Sequence, residues 1–269
     1  MTSEPRTLPA SEPAAMDAIA DHLEHFFRTV LAPDDAVNTP ASLCYITREP
    51  HPLGNLALFS RAATPADIAR DAAPLREGDF PSAIAFLNDG TPDQIAAATD
   101  LSFTPAESMP LMSVTPDTLA PTALADGYTC REVTPDEADA WAHAVSDGYG
   151  LPLAVGALLG VDRAAARAPG AARYYAAEHD GRMVATSLVF LHDGFAGIYG
   201  VATLPEHRGK GLGAHLTAEP LRSAWDLGYT TGLLQASEMG APVYTRIGFR
   251  THGHMALLVR VPGAPAQMG

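Results

Sequence analysis

Apolar residues at Ile19, Leu23, Phe26, Phe27 and Val30 recur at spacings of three and four, which puts them on one face of a helix over residues 16–31. Pro33 stops that helix, and residues 1–15, rich in Pro, Ser, Thr and Ala, read as a frayed tail before it. Short apolar runs predict strands at 42–47 and 55–61 around the Pro-Gly turn of 51–54. Thr64 and Pro65 fit the N-cap and first position of a second helix that ends near Gly78. A strand at 82–87, a turn at 88–90, a short helix at 92–98 and one or two strands over 101–114, interrupted by Pro105 and Pro110, follow.

Beyond residues 115–127, where Pro116, Pro121 and Gly127 mark a boundary, the pattern starts again with a strand at 128–133. Thr134 and Glu137 have capping-box spacing and open a helix to about Ser146, which 147–150 break. A second, alanine-rich helix covers 152–168, and strands 173–178 and 183–191 form a hairpin around Asp180-Gly181. A strand at 195–203 leads into a helix from Gly211 that turns Leu212, Leu216 and Trp225 to the core. Pro220 inside it predicts a kink. A strand at 231–236, a short helix at 238–247, a turn at Gly248-Phe249 and a strand at 255–261 end the chain, with His252-Gly253-His254 as a solvated turn. The alternation of helices and strands is α/β with a mixed sheet, expected as two domains, 1–120 and 121–269.

Composition adds a partner class. The chain has 269 residues, 47% of them hydrophobic, and a formal charge of −14, which argues against nucleic acid. Residues 1–120 hold 17 Asp and Glu against 6 Arg, so the acidity is concentrated in the first part. An acidic body suits cationic acceptors such as amines as well as solubility. Cys44 and Cys130 are too few for a disulfide framework or a zinc site, and the histidines lack metal-ligand spacing, so no metal is expected. Without a basic leader or an apolar run near membrane length, the expectation is a cytoplasmic protein, monomeric or homodimeric, that engages no membrane.

The chemistry concentrates at Gly200–Gly213. An apolar strand ending at Val201 enters a basic, glycine-rich turn that opens a helix, so backbone N–H groups converge on one spot suited to an anion. Lys210 is the only lysine in the chain. The Walker pattern is absent, because Gly211 follows Lys210, and so is a dinucleotide fingerprint. Arg208-Gly209-Lys210-Gly211-Leu212-Gly213 instead resembles the pyrophosphate motif of the GNAT acyltransferases. The run from Leu233 through Ser237 and Tyr244 to Gly248-Phe249-Arg250 resembles the second half of that signature.

The resemblance covers residue 127 to about 261 and implies a GNAT fold there. It implies that acetyl-CoA is held by Val201, Ala202, Thr203, Arg208, Gly209, Lys210, Gly211, Leu212, Gly213, Ala214, Ser237 and Tyr244. In this family the strand at 195–203 bulges and splays, freeing an N–H near Val201 for the acyl carbonyl, and Gly200 is compatible with a bulge. Tyr244 is implied as the general acid that protonates the leaving thiolate, with Ser237 beside it as a catalytic-site hydroxyl. Asp147 and Tyr149 are implied acceptor contacts. Among Glu178, Asp193, Glu206, His192, His207, His252 and His254, no spacing selects a base. The function implied is N-acetyl transfer to a primary amine, on a small molecule rather than a protein, with a non-catalytic acetyl-CoA-binding or sensor protein as the alternative. The first 115 residues contain no basic glycine-rich turn. They read as a degenerate GNAT-like half or an unrelated α/β extension, without a cofactor site.

Overall fold

The computed structural model describes residues 6–263. Helix α1 (Glu12–Phe26) begins four residues before Met16 and continues as a π-helical turn, Phe27–Leu31. The expected tail is therefore shorter than 15 residues, and its first five positions lie outside the described residues. Strands β1 (Val37–Asn38), β2 (Ser42–Ile46) and β3 (Asn55–Phe59) follow. The helix expected over 64–78 is two, α2 (Pro65–Asp71) and α3 (Ala73–Glu77). Next come β4 (Ser82–Phe86), α4 (Pro92–Asp100) and β5 (Thr104–Val114). Strand β5 runs unbroken through Pro105 and Pro110. Pro110 loses only a donor, and its carbonyl still accepts from the Ala236 N–H at 3.0 Å.

In the later part, β6 (Tyr128–Glu132) leads through a capped 3₁₀ turn into α5 (Ala138–Tyr149). Residues 147–149 belong to this helix, which Gly150 ends in a left-handed cap at φ 70°. The alanine-rich segment divides into α6 (Leu153–Gly156), a 3₁₀ turn and α7 (Val161–Arg167). Then come β7 (Ala172–His179), β8 (Arg182–His192), β9 (Phe195–Thr203) and α8 (Leu212–Asp226), which is continuous through Pro220. Strand β10 (Gly232–Gln235), α9 (Ala241–Arg246) and β11 (Arg250–Arg260) complete the fold. His252-Gly253-His254 lies inside β11 and is not a solvated turn. The His252 side chain is 9% exposed and bonds Ser113 Oγ at 2.7 Å and Glu12 at 2.8 Å.

Two compact units form, and they are not divided at residue 120. One joins the chain up to Leu31 with Met109–Gly253, the other Ala32–Ser108 with the chain from His254. The reason is that α1 has its apolar partners on later strands. Phe26 stacks on Tyr199 at 3.8 Å, and His22 bonds the Tyr199 hydroxyl at 2.8 Å.

In the larger unit the strand order is β5-β10-β9-β8-β7-β6, antiparallel except for β9 and β10. Leu212, Leu216, Leu221 and Ala224 of α8 bury one sheet face together with Ile198, Val189 and Tyr175, and Trp225 packs partly buried at its margin. Because side chains alternate along a strand, Tyr174 and Tyr199 face the other way, to Trp141 of α5 and Phe26 of α1. The smaller unit has the order β1-β2-β3-β4-β11, with Phe59, Ile84 and Phe86 packed on Ile68, Leu75 and Ala98.

Candidate active site

Strand β9 departs from its neighbours on both sides at the same level. Toward β8, Leu188 pairs with Tyr199 but Thr186 pairs with Ala202, so Gly200 and Val201 stand opposite Ser187 alone, a bulge. Gly200 has φ 61°, and a Cβ there would lie 3.1 Å from the Trp141 ring, so both backbone and space demand glycine. Its carbonyl accepts from Thr186 Oγ1 at 2.9 Å. Toward β10, pairing is limited to Ala196↔Gly232 and Gly197↔Leu233, while β10 continues to Gln235 against β5. The edge of β9 from Val201 to Thr203 has no β10 partner residue, which leaves a split in the sheet.

The glycine turn lies just beyond that split. Gly209 and Gly211 have φ 75° and 77°, and Gly211 is the N-cap of α8 with no side-chain cap. The first intrahelical bond runs from His215 N to Gly211 O, so the N–H groups of Leu212, Gly213 and Ala214 head the helix. Leu212 itself is buried and contributes only its backbone here. No heavy atom lies within 4 Å of a Cβ built at Gly209, and at Gly213 the nearest is 3.7 Å away, so an anion can approach the main chain closely.

The two cations of the turn point elsewhere. Arg208 donates from Nε to Thr203 O at 3.1 Å and from Nη2 to Gly148 O at 2.8 Å. Lys210 Nζ donates to the Tyr128 hydroxyl at 2.7 Å, and Tyr128 in turn lies 2.8 Å from His207 Nδ1.

Tyr244 on α9 and Ser237 on the turn before that helix come together over Gly240. A Cβ at Gly240 would lie 3.1 Å from the Tyr244 ring and 3.3 Å from Ser237 Oγ. Tyr244 packs edge-on against Phe249, and burial pushes its phenol up to about 12 against an opposing hydrogen bond with Thr217. Ser237 Oγ accepts from Gly240 N at 3.1 Å and so holds this turn. Desolvation, and then the neighbouring Tyr244, raise the phenol of Tyr149, although that residue is 48% exposed. Asp147, two positions earlier on α5, lies 3.9 Å from Arg182.

Each candidate base has another partner. Glu178 bonds Arg131, Asp193 bonds Arg6, Glu206 lies 3.8 Å from Arg182, and His254 lies 3.8 Å from Asp89. His207 bonds Tyr128, His252 bonds Ser113 and Glu12, and His192 stacks on His25 at 3.5 Å. Among the described residues no three His, Cys, Asp or Glu side chains converge as metal ligands would, and no single helix is long and apolar enough to cross a membrane.

Three residues escape a reading of the sequence. Thr217, one turn into α8, donates to Gly213 O at 2.8 Å and is the neighbour that opposes the rise of the Tyr244 phenol. Gly148 brings the last turn of α5 against β9, where a Cβ would lie 2.8 Å from Ala202 Cβ. A glycine inside a helix, which costs about 1 kcal/mol, was its only signal. His22 fills the space over Gly197, with burial depressing its pKa to about 3.

Comparison with known proteins places these features. Residues 170–251 match the model of the acetyltransferase (GNAT) domain. No curated protein sequence matches the chain. Among solved structures, a GCN5-related N-acetyltransferase from Kribbella flavida aligns with TM-score 0.61 and 20% identity, covering 93% of this chain and 96% of that one. One from Sphaerobacter thermophilus aligns with TM-score 0.57 and 16% identity over 97% and 95% of the two chains. A tandem GNAT protein from the clavulanic acid biosynthesis pathway aligns with TM-score 0.55 and 15% identity over 97% and 91%. These three likenesses establish a shared fold over nearly the whole chain. Residues 170–251 thus match the acetyltransferase (GNAT) domain, and the fold that carries them is the one shared with these GNAT structures.

Proposed function

We propose that this protein transfers acetyl from acetyl-CoA to a primary amine by direct attack. The carrying observation is that the head of α8, free of any side-chain cap, adjoins a split in the sheet with a phenol beside it. The residues fit the co-substrate. The amides of 209–214 would hold the pyrophosphate, and the open edge of Val201–Thr203 would take the pantetheine arm as an added strand. The Val201 N–H, fixed by the bulge, would accept negative charge developing on the acyl oxygen. The amine nitrogen bonds the acyl carbon as the carbon–sulfur bond breaks, and Tyr244 gives its proton to sulfur. A phenol raised to about 12 remains protonated at any working pH, although its driving force for proton transfer is modest.

The amine's own proton would leave through water, because each carboxylate and histidine named above already has another partner. That same observation favours the second reading, an acetyl-CoA-binding or sensor protein without turnover. The acidic charge of −14 supports a cationic small molecule as acceptor, in keeping with a protein that engages neither nucleic acid nor membrane. Catalysis would then belong to the unit that contains Met109–Gly253, and the segment Ala32–Ser108 would lack a cofactor site. Calorimetry with acetyl-CoA, followed by thiol release across a panel of primary amines, tests the assignment. Binding with turnover is expected, binding without turnover on any amine selects the second reading, and absence of binding overturns both.

A further inference from the structure

We propose that Arg208 is a positioning residue for the acceptor side: from within the cofactor turn it fastens the last turn of α5, and with it Tyr149, to the bulged end of β9. An arginine in a phosphate-binding turn would be expected to face phosphate, yet both of its observed bonds go to backbone carbonyls. Gly148 O lies among the last carbonyls of α5, where no further helical N–H is available. Gly150 N serves Asp147 and Ser146, and Leu151 N serves Ser146, which leaves Gly148 O for Arg208 Nη2 at 2.8 Å. The guanidinium thereby puts positive charge at the negative end of the helix. Its Nε takes Thr203 O, at the end of β9, at 3.1 Å. Two donors at a fixed angle satisfy two orphan carbonyls from different elements, which a lysine's single ammonium cannot reproduce with the same geometry.

The contact being fastened is close. A Cβ at Gly148 would lie 2.8 Å from Ala202 Cβ and 3.0 Å from Thr203 N, so the helix end packs directly on β9 at the level where β10 has parted from it. Tyr149, the next residue, has its phenol within electrostatic reach of Tyr244. One side chain therefore links the turn that would hold the co-substrate to the wall that would meet the acceptor. This inference rests on the proposed acetyl transfer for its kinetic consequence, but not for the link itself.

The test uses the full chain with acetyl-CoA as ligand. Arg208→Ala and Arg208→Lys are expected to speed amide hydrogen exchange in residues 146–151 at least about tenfold, with the acetyl-CoA Kd within about fivefold of the parent. Gly148→Ala, which displaces the same turn without touching the cation, should do the same. With any accepted amine, acceptor KM should rise about tenfold in all three variants while KM for acetyl-CoA stays near the parent value. An acetyl-CoA Kd weakened more than fivefold in Arg208→Lys, or unchanged 146–151 exchange in both Arg208 variants, overturns the proposal. If the parent protein binds no acetyl-CoA, the functional reading falls, and the exchange measurement alone decides the Arg208 link.

Discussion

Two strand-turn-helix crossovers in this chain share a connectivity and differ at the helix head and at the strand edge beside it. In the larger unit β9 leads through the glycine turn into α8 and on to the parallel strand β10, and in the smaller unit β3 leads into α2 and α3 and on to the parallel strand β4. The head of α8 has Gly211 as its cap and no side chain on its amides. The head of α2 is closed by its own residues. Thr64 Oγ1 accepts from Asp67 N at 3.3 Å, and Asp67 Oδ2 accepts from Thr64 N at 3.0 Å, a complete capping box. An aspartate at the third helical position occupies the place an external anion would need. The strands differ in parallel. β3 and β4 pair from Leu56↔Ala83 to Phe59↔Phe86, at the end of β3, whereas β9 and β10 part after two residues. Gln94 further ties down the turn after β3 by donating to Arg61 O and Ala63 O. A helix terminus binds a ligand only when the chain leaves its donors unspent and a neighbouring strand edge unpaired.

The largest effect expected from this contrast is chemical. Tyr244→Phe keeps the ring against Phe249 and removes the proton donor, so kcat should fall about 10²-fold while KM for acetyl-CoA hardly moves. A variant with parent kcat would show that sulfur takes its proton from water.

Next, the closed head can be copied onto the open one. Ala214 stands at the third position of α8, as Asp67 does in α2. Ala214→Asp should weaken acetyl-CoA binding at least about tenfold through like-charge repulsion, and should stabilise the fold by about 0.3–1 kcal/mol through the helix dipole. Calorimetry and thermal melting read the two directions separately. Tighter binding would refute the anion assignment.

Acid should separate the units. His22 is buried with its pKa lowered to about 3, while the unfolded chain takes up that proton near 6.5. The unfolded state therefore binds more protons between those values, and stability falls as pH drops below about 6.5, by up to about 1.4 kcal/mol per pH unit for this group. His22→Gln should flatten the slope of unfolding free energy against pH by about one proton between pH 4 and 6. Hydrogen exchange should find α1 and β9 loosening before β3 and β4, whose core around Phe59 and Ile84 has no buried histidine.

The smallest effect belongs to the closed crossover. Thr64→Ala should cost about 1 kcal/mol of stability as a lost cap and leave acetyl-CoA affinity unchanged. A change in that affinity would mean the smaller unit takes part in binding.

Local elements were legible because their causes are local. The periodicity of 16–31, the cap at Thr64, the capping box of Thr134 and Glu137, and strand 195–203 all appear where side-chain spacing and turn chemistry put them. The glycine turn was legible for the same reason, since φ values of 75° and 77° at Gly209 and Gly211 belong to the residues themselves. The bulge at Gly200 was expected from the family resemblance, with which a strand glycine is compatible. What the tertiary structure alone decided depends on partners far along the chain. It assigned α1 to the later strands through Phe26 and Tyr199, and it placed His252 in a strand against Ser113 and Glu12. It also turned Arg208 toward two backbone carbonyls. A side chain's type sets what it can bond, but a long flexible cation or a helix face finds its partner only when the sheet has closed and the unsatisfied carbonyls are in reach.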